Sequence, residues 1–131
     1  MPYRVSLDTS RRREARQQGW MRQRLPEELG ECLTDSLCID PGLSLLRTCY
    51  RPRTDLAEES LKHLDRPVLA ITLGLAGESS FRGRCGTELH FRHGHTTVST
   101  FRCSAGERHY RRDCGVKQLR LLIGAEALAR Y

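Results

Sequence analysis

The chain is expected to be mainly β, a sandwich or a closed barrel, and three observations carry that expectation. From Leu43 onward the apolar residues fall into short runs, LSLLRTCY, PVLAITLGLAG, SSFRGR, TELHF, HTTVSTFRC and VKQLRLLIG, most with a core of roughly four to eight residues. Gly, Pro, Asp or Ser bounds each run, as turns require. The runs also follow one another closely, which suits sheets closed on themselves or on each other.

Along the chain, residues 1–26 form a polar, Arg- and Gln-rich lead with Trp20 as the only tryptophan. A helix from about Ser10 is expected there, weakened by Gly19. In EELGECLTDSLCIDPGLSLLRTCY, Asp40-Pro41-Gly42 reads as a turn delivering the chain into the first strong strand. Asp55 followed by Glu58 resembles a helix-capping arrangement ahead of LAEESLKHL, whose Ala57, Leu61 and Leu64 would share a face, so a short connecting helix is expected. From Pro67 the β pattern is nearly continuous. The ending GAEALARY has helical spacing but supplies only two turns, too few to stand without something to pack on. Tyr131 is therefore expected to be a boundary within a longer parent chain.

At 131 residues the chain fits one domain and can bury roughly two thirds of its unfolded surface. No apolar run approaches the roughly 20 residues of a membrane span, and no apolar stretch follows the N-terminal charges, so a cytoplasmic protein without a membrane partner is expected. The six cysteines would then remain thiols, and none is paired as CxxC. Residues 1–26 carry seven Arg against Asp8 and Glu14, while the rest of the chain is nearly balanced within the net +6. That basic arm could track phosphates or be a solvated tail. Twenty of the 22 basic residues are Arg, which points to coding bias as much as to bidentate recognition. Without interleaved aromatics or a helix-turn-helix pattern, specific DNA reading by this chain is not expected.

The order of a PGLSLL strand, then PVLAITLGLAGESSFRG, GTELHFRHGHTTV and GERHYRRDCGVKQLRLLIGAEAL resembles the N-terminal effector domain of AraC-type transcriptional regulators, in particular the pyochelin-type siderophore regulator subgroup. The likeness spans roughly Leu25 to Tyr131 and rests on a strand ending in LxG (Leu75, Gly77), the FRHG turn, and QLRLLI before a helix. It implies a cupin-like (jelly-roll) β-barrel over residues 27–131, with a basic N-terminal arm before it and the start of a C-terminal helix after it. It further implies a small-molecule effector inside the barrel, a homodimer in the full-length protein, and DNA binding through a C-terminal domain missing from this chain.

Cupins often hold a metal with an HxH pair, a carboxylate and a later His. His93-Gly94-His95 supplies the pair, and alternate strand residues share a face. Ser99 and Thr100 stand where the carboxylate would be, and the later His109 lies in SAGERHY without the usual Pro. His90, Cys85 and Cys103 are the candidate substitutes; no metal or cofactor is assigned. No GxSxG, P-loop, paired-acid motif or HExxH occurs, so a non-enzymatic role is expected. Cys85, Cys103 and Cys114 lie near arginines that would favour thiolates, whereas Cys49 and Cys103 also fit as small packing residues.

Alternation places His95, Thr97, Ser99, Phe101 and Cys103 on one face of HTTVSTFRC, a mix suited to an amphipathic ligand. In LSLLRTCY, Arg47 and Cys49 oppose Thr48 and Tyr50; in QLRLLI, Gln118 and Arg120 oppose Leu119 and Leu121. The candidate ligand-binding set is Trp20, Arg47, Tyr50, His95, Ser99, Phe101 and Arg120, with Arg47 and Arg120 able to pair with an acidic ligand such as a ferric siderophore. A metal-dependent cupin enzyme and a thiol redox sensor are the alternatives.

Overall fold

The structure is a computed structural model that describes residues 2–6, 12–60, 63–84, 86–103 and 105–131. Among these residues twelve strands and one short α-helix follow in chain order: β1 (Tyr3–Ser6), β2 (Arg12–Ala15), β3 (Met21–Arg24), β4 (Gly30–Asp40), β5 (Leu43–Pro52), β6 (Leu56–Ser60), β7 (His63–Ala76), β8 (Glu78–Gly83), β9 (Glu88–Arg92), β10 (Thr96–Cys103), β11 (Gly106–Tyr110), β12 (Val116–Gly124) and α1 (Ala125–Arg130). They form a five-stranded sheet of order β1-β6-β11-β8-β9 and a seven-stranded sheet of order β10-β7-β12-β5-β4-β3-β2. All six runs marked out by apolar content are strands, and the mainly β expectation holds.

Turn chemistry sets the registers. Pro41-Gly42 joins β4 to β5, with Gly42 at φ +78° as the third residue of a type II turn requires. Gly77, between β7 and β8, sits at φ +68°, and a Cβ there would lie 2.3 Å from the Gly115 carbonyl oxygen. Only glycine fits that crossing.

Two helix expectations fail, for one reason. LAEES is strand β6, paired in parallel to β1 and antiparallel to β11, and the chain re-enters a sheet as β7 from His63. Ladder hydrogen bonds to two neighbours outweigh a local capping preference, because propensity is a weak prior beside tertiary pairing. The described part of the segment expected as a helix from about Ser10 instead forms the β2–β3 hairpin on the edge of the larger sheet. The basic arm of residues 1–26 thus supplies strands to both sheets. Helix α1 does follow β12, with Ala127 fully buried.

Between the sheets, Val5, Leu25, Leu29, Cys32, Tyr50, Leu56, Tyr110 and Val116 make a single apolar cluster. The rings of Tyr50 and Tyr110 meet at 4.6 Å, an inter-sheet contact of favourable tilted geometry. No helix among the described residues is long and apolar enough to cross a membrane.

Candidate functional site in the barrel interior

Register decides which side chains face inward. Residues directly opposite across antiparallel strands share a face. In the larger sheet Thr34, Thr48 and Gln118 align across β4, β5 and β12, and all three are buried. The next inward row runs Ser36, Leu46, Arg120, Thr72 and Thr97, and the row beyond it sets Ser99 opposite buried Ala70. On the facing sheet Glu58, Arg108, Phe81 and Leu89 align, as do Leu56, Tyr110, Ser79 and Phe91.

Above the apolar cluster the interior is therefore polar and aromatic. Glu58 is 2% exposed and accepts a hydrogen bond from the Tyr50 hydroxyl, which ties the two sheets together. Gln118 Nε2 donates to Ser79 Oγ at 2.5 Å, a second tie. Its Oε1 is buried and receives no hydrogen bond from the described residues. The Arg108 guanidinium lies 5.4 Å from the Phe81 ring centre and 5.5 Å from that of Phe91, within cation–π range. Burying polar groups costs free energy unless they are bonded, and the inward threonines, Gln118 and Arg120 make this part of the interior polar. Burial pushes the Cys32 thiol up to about 12, leaving it a protonated packing group at neutral pH.

The structure divides the sequence-derived set. Tyr50, Ser99 and Arg120 lie on the inner face. Arg47 does not: it pairs in register with Leu119, whereas Arg120 pairs with Leu46, so the two arginines point to opposite sides of the sheet and cannot grip one ligand. The alternation was legible in LSLLRTCY, but Tyr50 and Arg47 stand three apart and necessarily diverge. Trp20 joins Arg47 on the outer side, where the Arg47 guanidinium is 5.5 Å from the indole centre. His95 is exposed, in the turn entering β10 where its N–H bonds Arg92 O. The side chains of Phe101 and Cys103, and Cys85 altogether, lie outside the described residues. Sequence reasoning missed Glu58, assigned to a helix, and Arg108 in GERHY. The Gly-Arg-Tyr alternation of that short strand was the available signal.

On the outer face, Trp20 and Arg47 line an open concavity of about 700 Å³ with Ala15, Arg16, Gln17, Arg22 and Asp35. Its floor is an ion-pair row. Arg22 reaches Asp35 through Nε to Oδ1 at 2.8 Å and Nη2 to Oδ2 at 3.1 Å, and Arg47 Nη2 reaches Oδ2 at 3.0 Å. Hydrogen bonds from Arg22, then from Arg47, hold the Asp35 carboxyl below its ordinary value despite burial. The smaller sheet's outer face is charged too: Arg4 bridges Glu107 at 2.6 Å and Glu59 at 3.1 Å, and its hydrogen bond holds the Glu107 carboxyl low. His109 and His90 line a concavity of about 560 Å³ on this sheet. No group of three His, Cys, Asp or Glu converges to hold a metal among the described residues.

No protein-family model and no curated protein matches the chain. Solved structures do. A candidate mannose-6-phosphate isomerase from Ralstonia eutropha superposes with a TM-score of 0.54 at 14% identity, over 76% of this chain and 91% of that one. A cupin 2 conserved barrel domain protein from Leptotrichia buccalis gives 0.52 at 15%, over 76% of this chain and 44% of the other. An RmlC-like cupin protein from Desulfovibrio desulfuricans gives 0.50 at 12%, over 70% and 81%. A Cupin_2 domain of an XRE family transcriptional regulator from Enterobacter cloacae and an HTH_3 family transcriptional regulator from Vibrio cholerae each superpose at 0.49, a likeness too slight to bear on function. At such identities the fold alone is shown: this chain is a cupin-type, RmlC-like barrel.

Proposed function

We propose that this chain is a ligand-sensing cupin-fold domain, non-catalytic in itself, whose barrel interior takes a small acidic or chelating effector in a regulator of the AraC type. The observation that supports the reading most directly is Gln118 Oε1, a buried acceptor without a donor among the described residues, set in an inward row of threonines beside Arg120. Arg108, framed by Phe81 and Phe91, adds a cation and aromatic walls. An amphipathic anion needs that combination from a pocket. A ferric siderophore is the favoured class within it. Occupancy would act on DNA binding elsewhere in a parent chain by differential affinity for two conformations.

Native mass spectrometry tests this with three probes: a ferric phenolate-type siderophore, salicylate and decanoate. A one-to-one complex with an acidic probe is expected, lost in Gln118→Leu while the circular dichroism spectrum is kept. Absence of binding by every probe at millimolar concentration, or turnover of a sugar phosphate by the purified domain, overturns it.

A further inference from the structure

We propose that the concavity on the outer face of the larger sheet is a second binding site, separate from the barrel interior, for a phosphate monoester that carries a flat ring, as a mononucleotide does. The outward row that begins with Arg22, Asp35 and Arg47 continues as Leu119 and Leu73, and the next row reads Leu37, Leu45, Leu121 and Ile71. The charge of these rows is thus confined to the end beside the β2–β3 turn. That turn has an uncommon shape: Arg16 N donates to Trp20 O at 2.8 Å, while Gln18 and Gly19 sit at φ +61° and +85°. A non-glycine residue in the left-handed region is rare, and such residues gather at ligand clamps. The turn also leans on the sheet. A Cβ on Gly19 would come 3.5 Å from Leu37 Cδ1, and the Arg47 guanidinium lies 5.5 Å from the Trp20 ring centre. Arg16 and Trp20 thereby wall a concavity floored by Arg22, Asp35 and Arg47.

The donor set selects the ligand. Arg16, Arg22 and Arg47 against Asp35 leave the lining two positive charges. Glu14 is engaged by Arg24 at 3.2 Å and reaches Arg16 only at 4.0 Å. Asp35 does not repel an incoming anion as a bare carboxylate would, because its side chain is 4% exposed and guanidinium groups take both of its oxygens. It anchors two arginine forks side by side, and Nη1 of each has no hydrogen-bond partner among the described residues. Such forks pair with phosphate oxygens through parallel hydrogen bonds. A phosphate monoester carries a charge of about −1.5 to −2 at neutral pH and matches the two positive charges, whereas a carboxylate would neutralise only one. Half-buried Trp20 supplies a flat surface on which a base or aryl ring stacks. The volume of about 700 Å³ falls in the range of small-molecule pockets. A nucleic-acid strand fits less well, since it stacks successive bases on several rings and Trp20 is the one aromatic residue in the described lining. The inference does not depend on the ligand reading of the interior, which lies on the opposite face of the sheet.

Trp20 is the only tryptophan, so intrinsic fluorescence of the 131-residue chain reports on this site. Adenosine 5′-monophosphate, adenosine and inorganic phosphate are the probes. The nucleotide is expected to change the emission saturably at sub-millimolar concentration, with adenosine and inorganic phosphate each bound at least ~10-fold more weakly. Arg47→Gln and Arg16→Gln should each weaken nucleotide binding ~10-fold or more, because each removes a charged hydrogen bond to phosphate. Both side chains are about half exposed, so the variants should keep the circular dichroism spectrum of the wild type. Arg82→Gln, an exposed position on the other sheet, should bind as the wild type does. No saturable response to the nucleotide at millimolar concentration overturns the proposal, as does adenosine binding as tightly as the nucleotide. An equal loss in Arg82→Gln would reduce the effect to net charge and overturn it as well. A single-stranded oligonucleotide bound ~100-fold more tightly than the mononucleotide would give the face to nucleic acid and overturn the mononucleotide assignment.

Discussion

Replacing Asp35 by Asn tests how the outer ion-pair row is held. The Asp35 side chain is 4% exposed and faces Arg22 at 20% and Arg47 at 57%. The amide keeps the shape but loses the charge that draws two guanidinium groups to one site. Removing one partner of a fully buried pair costs ~3–5 kcal/mol. Here both arginines reach water and recover hydration, so the loss is discounted to ~2 kcal/mol. Unfolding entropy of ~2.1 cal/mol/K per residue makes that a fall of about 7 °C in Tm for a chain of this length. The sign with pH follows from the depressed Asp35 carboxyl. Its contribution is fully present above the unfolded value of ~3.9 and is lost as pH falls through the lower folded value. Melting curves followed by circular dichroism should show a constant gap between wild type and Asp35→Asn from pH 7 to about pH 5, closing in acid. A gap under 1 °C at pH 7, or one that persists unchanged at pH 2, would refute the reasoning.

Tyr50→Phe removes the hydroxyl that serves buried Glu58 and should cost ~1–3 kcal/mol, read as a lower urea midpoint at unchanged m; an unaltered midpoint would mean that the tie between the sheets contributes nothing. Cys32, with its thiol pushed up to about 12 by burial, should resist iodoacetamide at pH 8 in the native protein while exposed Cys38 is alkylated freely. Equal native labelling rates at the two positions would contradict the burial of Cys32.

Local chemistry settled a good part of this fold before any contact was known. Short apolar runs between turn residues define strands because the pleat has period two and the chain can reverse only where φ and ψ allow it. β5, β7 to β10 and β12 were all legible on that basis, as was the Asp40-Pro41-Gly42 turn. The same alternation placed Ser99 with Thr97, and Gln118 with Arg120. What alternation cannot say is which of two faces is inside. In the larger sheet the apolar face turned out to be the outer one, against the ordinary expectation from burial, and only register across β4, β5, β12 and β7 showed it. Arg47 and Tyr50 were grouped even though alternation in LSLLRTCY already set them on opposite faces, whichever face is inside. Pairing between distant segments also lay beyond local reading: Ala57 and Glu58 look like the first turn of a helix until β1 and β11 flank them and satisfy their backbone groups on both sides. Glu58 entered the interior by that route, and Arg108 met Phe81 and Phe91 because β11 lies between β6 and β8. These juxtapositions are properties of the closed pair of sheets, since contacts between residues tens of positions apart leave no periodic trace in the chain.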